Sequence, residues 1–160
     1  AASKLAWEQG VRAAQGPHAI LRTSWVFSAQ GINFLKTMLR LSETRPHLTI
    51  VSDQIGGPTP AGAIAAACMT IAKVLQAQPG KSGTYHFSGA PETSWAEFAR
   101  TIFSHAGRDT TVEDIPTSAY PTPATRPLNS RLDCASLEAQ FGIRQPDWRA
   151  ATQQILDSLT

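Results

Sequence analysis

The amino-acid sequence predicts an α/β fold with at least partly parallel strands. Short β-branched or aromatic runs alternate along the chain with segments of 3.6-residue apolar period, the order that lays helices over a parallel sheet. Several helical segments carry their own start and stop residues. A chain of 160 residues that is 42% hydrophobic and 16% charged can bury one core and is too short for two ordinary domains.

The elements follow in order. Trp7, Val11 and Ala14 recur at helical spacing after Lys4, so residues 3–15 read as a helix that Gly16-Pro17 stops. Ala19-Ile20-Leu21-Arg22-Thr23 reads as a short buried strand. Phe34, Leu35, Met38, Leu39 and Leu41 give the next helix one broad apolar face, and residues 48–52 are again strand-like. Thr59-Pro60 suits a helix start, with Thr as N-cap and Pro in the first helical position. Ala61, Ile64, Ala65, Cys68, Ile71, Ala72 and Leu75 then keep the helical period, and Cys68 reads as a buried small hydrophobe.

Residues 83–87 form a strand ending at Ser88-Gly89. Ser94-Trp95-Ala96-Glu97 is a capping box that opens a helix burying Trp95, Phe98, Ala99, Ile102 and Phe103. Residues 111–115 read as a strand. Pro116, Pro121, Pro123 and Pro127 then make residues 116–130 a long loop or linker. A short helix begins at Asp133 or Ser136 and ends at Gly142. Asp147 caps a last helix carrying Trp148, Ala151, Ile155 and Leu159.

Composition excludes several functions. A net charge of +2 with scattered basic residues lacks the clustered cations that track phosphates, so no nucleic-acid partner is expected. The weakly polar run at residues 60–69 falls short of the ~18–20 apolar residues of a membrane span. No leader or lipidation motif is visible. Cys68 and Cys134 lie far apart with no zinc spacing, which suits a reducing, cytoplasmic setting. Gly80-Lys81-Ser82 has the tail of a phosphate loop, but Leu75 stands where the leading Gly is required. Neither G-x-G-x-x-G nor G-x-S-x-G occurs, and His18, His47, His86 and His105 share no ligand spacing.

Six segments remain that are unusual for plain scaffold: A-S-K-L-A-x-E at residues 2–8, L-R-T-S-W-V-F at 21–27, N-F-x-K-T-M-L-R-L at 33–41, D-Q-x-G-x-P-T at 53–59, Y-H-F-S-G at 85–89 and R-P-x-N-S-R-L-D at 126–133. In this order they resemble the extended short-chain dehydrogenase/reductase family, most closely its dTDP-4-dehydrorhamnose reductases, across all 160 residues.

The resemblance implies a C-terminal, substrate-binding part of such an enzyme, the remainder of a Rossmann-type fold. Residues 1–30 would be the tail of the dinucleotide-binding fold and residues 31–160 mainly the substrate part. Lys4 matches the lysine of the family's Tyr-x-x-x-Lys motif, whose tyrosine would fall one residue before Ala1, so the chain alone is expected to be inactive. A lysine one helical turn beyond a phenol supplies the cation that makes the phenol an effective acid near neutral pH. In the family that lysine also binds the nicotinamide ribose of NADPH or NADH. Thr23 and Ser24 match the segment beside the nicotinamide, and Trp25 the tryptophan that meets the deoxysugar ring.

Asn33, Arg126 and Arg131 are candidates for the dTDP-sugar, the two arginines because a guanidinium matches diphosphate oxygens; a surface arginine or a structural ion pair with Asp133 is the competing reading for both. Some family members dimerise through a metal held by a glutamate shortly after the D-Q-x-G-x-P-T turn. Residues 60–64 contain no carboxylate, so no metal and no such dimer are expected. Apolar faces that lack a cover could still make the chain associate. Two alternatives share the fold: a non-catalytic regulatory subunit, and an epimerase or dehydratase acting on another nucleotide sugar.

Overall fold

The computed structural model describes residues 2–159, in which eight short strands alternate with six helices. Two parallel pairs form the frame. β1 (Ala19–Thr23) runs beside β6 (Gly83–Phe87), from Ala19 opposite Gly83 to Thr23 opposite Phe87. β3 (His47–Val51) runs beside β8 (Thr111–Ile115), from His47 opposite Thr111 to Val51 opposite Ile115. Two shorter pairs cluster past the carboxyl end of β1: β2 (Val26–Phe27) parallel to β5 (Thr59–Pro60), and β4 (Ile55–Gly56) antiparallel to β7 (Thr93–Ser94). Parallel partners need crossovers, and the helices supply them.

The helices are α1 (Ala2–Ala13), α2 (Phe34–Ser42), α3 (Ala61–Ala77), α4 (Trp95–His105), α5 (Ala135–Phe141) and α6 (Trp148–Asp157). Local chemistry explains their ends. Asn33, Ser94 and Asp147 occupy N-caps, and each side chain accepts a backbone N–H of the first turn. Gly142 closes α5 in the left-handed conformation, at φ +69°. Of the expected capping box only the serine half forms; Glu97 pairs with Arg100 instead.

Two apolar clusters result. Phe98 lies at the centre of the larger one, with Phe27, Phe34 and Trp148 all 5.2 to 5.4 Å away, ring to ring. These aromatics pack together where α2, α4 and α6 meet β3. The second joins Ile71 and Leu75 of α3 to Tyr85 and Phe87 of β6 and Leu137 of α5.

Two sequence expectations need correction. Thr59 does not cap α3, because its hydroxyl is committed elsewhere; Pro60 precedes the helix without a side-chain cap. Cys68 is exposed, since α3 turns the row Ala67, Ile71 and Leu75 inward and leaves Cys68 on the rim of an open groove. Trp7 is 79% exposed, and α1 is held by polar contacts rather than by its apolar stripe. In α6 the buried row is Trp148, Thr152 and Leu156, so Leu159 lies outside the core.

Thr59 is wholly buried and ties three segments together. Its hydroxyl donates toward the carbonyls of Ser24 (2.7 Å) and Gly57 (3.0 Å) and accepts the amide of Gly89 (3.3 Å), while its own amide donates to the Trp25 carbonyl (3.0 Å). Thr59→Val keeps the volume but strands those partners, so it should lower stability by about 1–3 kcal/mol in urea unfolding.

Candidate functional site

The carboxyl end of β1 carries Thr23, Ser24 and Trp25. Thr23 is exposed, Ser24 and Trp25 half-buried. Trp25 has φ +48°, a left-handed backbone that costs a bulky L-residue roughly 1–3 kcal/mol. Strain of this kind persists only where the surroundings over-determine it. Here Thr59 holds the backbone, and the indole stacks on Trp95 with ring centroids 3.6 Å apart and planes 11° from parallel. Gly56 completes the clamp: a Cβ there would lie 2.5 Å from Ser130 Oγ and 2.7 Å from Trp25 Cε2, so only glycine fits.

The D-Q-x-G-x-P-T turn therefore serves as a clasp. Asp53 accepts the Thr117 amide (2.9 and 3.0 Å) and hydroxyl (2.6 Å), and Gln54 Nε2 donates to the same hydroxyl (3.1 Å). These hydrogen bonds from Thr117, side chain first and backbone second, hold the Asp53 carboxyl below the ordinary aspartate range. At the far end of the Pro-rich loop, Ile55 donates to Leu128 and accepts from Ser130, each at 2.8 Å. Residues 116–130 are a loop anchored at both ends, with one short 3₁₀ turn at Thr117–Ala119.

Lys4 lies exposed on α1 and makes no hydrogen bond or ion pair among the described residues. Its helix is positioned by Glu8. Arg22 of β1 grips that carboxylate bidentately (2.8 and 2.6 Å), and Arg12 joins it at 3.2 Å while also reaching Thr84 of β6. The Arg22 hydrogen bond lowers the Glu8 pKa, and Glu8 raises that of Arg22.

The other candidates are dispersed. Asn33 spends its side chain locally, capping α2 and donating to the carbonyls of Ser28 (2.8 Å) and Gln30 (3.2 Å). Arg126 stands exposed on the Pro-rich loop. Arg131 pairs with Glu92 rather than Asp133, whose carboxylate is turned to the Ala135 amide. The Glu92–Arg131 pair sits on a cleft of about 220 Å³, beside Gly56, Ser88 and Gln145. Thus Trp25, Gly56, Ser130 and Arg131 are brought into one neighbourhood, Lys4 is tied to it through β1, and Arg126 extends from the anchored loop. The sequence reading missed Trp95, Thr117 and Glu92, whose roles depend on partners distant along the chain.

Two further observations bear on ligands. Ser24 Oγ is one of two buried side-chain polar atoms without a hydrogen-bond partner among the described residues. No group of three His, Cys, Asp or Glu side chains able to hold a metal occurs among those residues. Nor is any helix among them long and apolar enough to cross a membrane.

Comparison with known proteins matches residues 1–160 to the RmlD substrate binding domain. A dTDP-4-dehydrorhamnose reductase of Sinorhizobium fredii is 47% identical over 163 residues, covering 98% of this chain and 55% of that protein. One from Aggregatibacter actinomycetemcomitans is 46% identical over 143 residues, covering 85% and 49%. The crystal structure of the Bacillus anthracis dTDP-4-dehydrorhamnose reductase in complex with NADP superposes with a TM-score of 0.86 at 34% identity, over 99% of this chain and 54% of that one. A UDP-glucose-4-epimerase from Stenotrophomonas maltophila, 12% identical with a TM-score of 0.75 over 99% and 52%, shares the fold alone. The chain spans about half the length of the curated relatives it matches. It belongs to the RmlD substrate binding domain family.

The Asp53 clasp has a defined pH response. A folded-state pKa below the ordinary value gives stabilisation that is complete above that value and lost as pH falls through the folded one. Protection of the Thr117 amide in hydrogen exchange, corrected for intrinsic rate, should therefore hold at neutral pH and fade below about pH 4. Asp53→Ala should abolish it at pH 7.

Proposed function

We propose that this member of the RmlD substrate binding domain family forms the substrate-facing part of an NAD(P)H-dependent dTDP-4-dehydrorhamnose reductase. The reaction reduces the 4-keto group of dTDP-4-dehydro-6-deoxy-L-mannose to give dTDP-L-rhamnose. One observation carries the reading. The bidentate Glu8–Arg22 pair fixes the helix that bears Lys4 against the strand that ends at Thr23 and leads into Ser24 and Trp25. Two segments of the family resemblance thus become one rigid unit through a non-local contact. The shared name of the relatives and the NADP in a solved one support it.

The residues present fit a reduced nicotinamide cofactor. The buried Ser24 hydroxyl, without a partner among the described residues, offers a hydrogen bond beside the carboxyl end of β1, where open α/β sheets receive ligands, and the exposed Lys4 ammonium would meet a ribose. When bound, that cofactor supplies the hydride. Lys4 contributes a positive charge that favours the anion of an adjacent phenol and so tunes a proton donor for the developing alkoxide. Trp25 offers an aromatic surface to the apolar side of the deoxysugar. Arg126 and Arg131 would meet diphosphate oxygens, and Arg131 would exchange Glu92 for that anion. Two unpaired thiols fit a cytoplasmic setting.

Two outcomes test this. The purified 160-residue chain, which contains neither a G-x-G-x-x-G turn nor a Tyr four residues before Lys4, should oxidise no NADPH with the 4-keto sugar; turnover by it would overturn the assignment of a divided site. In the native polypeptide that contains these residues, Lys4→Met should lower kcat by about 10²–10³-fold, within the range of acid–base contributions. Thermal unfolding should stay unchanged in this variant, because Glu8 rather than Lys4 anchors α1.

A further inference from the structure

We infer that Trp95 is a positioning residue for the reaction: its indole sets the plane and backbone conformation of Trp25, and through Trp25 the seat of the deoxysugar ring. The inference rests on the reading of Trp25 as the sugar-facing aromatic. Trp95 would not touch the sugar's reacting atoms.

Ala96, Phe98, Ala99, Ile102 and Phe103 of α4 are at most 2% exposed, whereas Trp95 is only half-buried. It packs on the margin of the core and is not enclosed by it. Instead it lies almost flat against Trp25, with centroids 3.6 Å apart and planes 11° from parallel. Two of the three ring pairs on Phe98 are edge-on and the third, with Phe34, is 23° from parallel at 5.4 Å, so the Trp25–Trp95 pair is the closest and flattest ring contact among the described residues.

Trp95 is itself held in place. Ser94 pairs with Ile55 across the β4–β7 ladder and its hydroxyl caps α4 at 3.1 Å from the Glu97 amide, so the residue between them has little freedom. Phe34, the first residue of α2, approaches Trp95 at 4.6 Å and Phe98 at 5.4 Å. The order Trp25, Trp95, Phe34, Phe98 therefore runs unbroken from the strained residue into the core. The same ladder fixes Gly56, opposite Thr93, against the Trp25 indole and Ser130. One two-residue strand pair thus sets two of the groups that confine Trp25.

At φ +48° Trp25 would relax to an ordinary extended backbone if its surroundings allowed it, and that rotation would swing the indole away from its present plane. Removing the Trp95 ring removes the stacked face that opposes the rotation. The expected consequence is loss of sugar orientation, with cofactor binding left intact.

The test compares wild type, Trp95→Leu and Trp95→Phe in the native polypeptide that contains these residues, with NADPH and the dTDP-4-keto sugar, and with tryptophans replaced by 5-fluorotryptophan for fluorine NMR. Trp95→Leu should raise KM for the sugar nucleotide about fivefold to tenfold, the range an aromatic pair carries. KM for NADPH should stay within about twofold, and Trp95→Phe should recover most of the loss. The Trp25 resonance, shifted by the ring current of Trp95, should move toward an unstacked position in the Leu variant and stay shifted in the Phe variant.

A folded Leu variant with unchanged sugar KM, equal change in both KM values, or no rescue by Phe would overturn the inference. Should the Leu variant not fold, titration of wild type with dTDP-L-rhamnose decides. Trp25 and Trp95 resonances moving together support the coupling, and movement of Trp25 alone sinks it. A wild-type protein that binds no dTDP-sugar brings down the functional reading and this one with it, and it does so before any substitution is made.

Discussion

The hydroxyl of Thr59 is the small contact on which the site's geometry depends. Three chain segments converge on it: the exit from β1 at Ser24 and Trp25, the turn between β4 and β5, and the exit from β6 at Gly89. They approach so closely that side chains are excluded. A Cβ on Gly57 would lie 2.3 Å from the Gly89 carbonyl oxygen, and one on Gly89 would lie 1.9 Å from that of Pro58. Backbone groups at such separations need a partner in hand, because buried polar atoms left alone cost more than a hydrogen bond returns. A single buried threonine meets the need. The glycines and the threonine belong to one another: with larger residues the segments could not meet, and with no hydroxyl they would meet unpaired.

Polar fasteners of two kinds surround this hub. Glu8 and Asp53 each gather several donors, Arg22 and Arg12 in one case and the amide and hydroxyl of Thr117 in the other. Neither belongs to the aromatic core: Glu8, with Arg12, ties α1 to β1 and β6, and Asp53 ties the chain after β3 to the chain after β8. The strain at Trp25 is the counterpart. It is tolerated because the Thr59 amide, the Trp95 face and the bare Gly56 backbone leave that residue no other arrangement. A rigid frame built mainly from hydrogen bonds thus holds one aromatic in a costly conformation, a pattern that accords with a site formed before its ligand arrives.

How much of this was legible in the sequence depends on the reach of each interaction. Ser94, Asp147 and Gly142 act on amides and carbonyls within one turn, so the helix ends they govern could be read residue by residue. The strands at 19–23, 83–87 and 111–115 were equally plain, each bounded by turn or loop residues. Thr59-Pro60 misled because a good local cap was overruled by partners 30 and 35 residues away. Cys68 misled because helical periodicity marks a stripe without saying which edge of it is covered. Among the site residues, Trp25 stood out through the family resemblance, while its partner Trp95 looked like any first-turn aromatic of an amphipathic helix. Nothing local distinguishes a ring that fills a core from one that braces a neighbour.

The two parallel pairs interlock along the chain. β1 waits for β6, and β3, which lies between them in sequence, waits for β8; the bonded neighbours His18 and Ser82, and likewise His47 and Thr111, are 64 residues apart. Neither pair can close early while the other forms late from a separate stretch, because each crossover contains a strand of the other pair. Loop closure over such distances is entropically slow, and it gains little until most of the chain is present. Residues 19–115 should therefore assemble as a single cooperative unit, and no cut between residues 52 and 82 would leave either pair within one piece. Two fragments divided there would have to find each other before either became ordered.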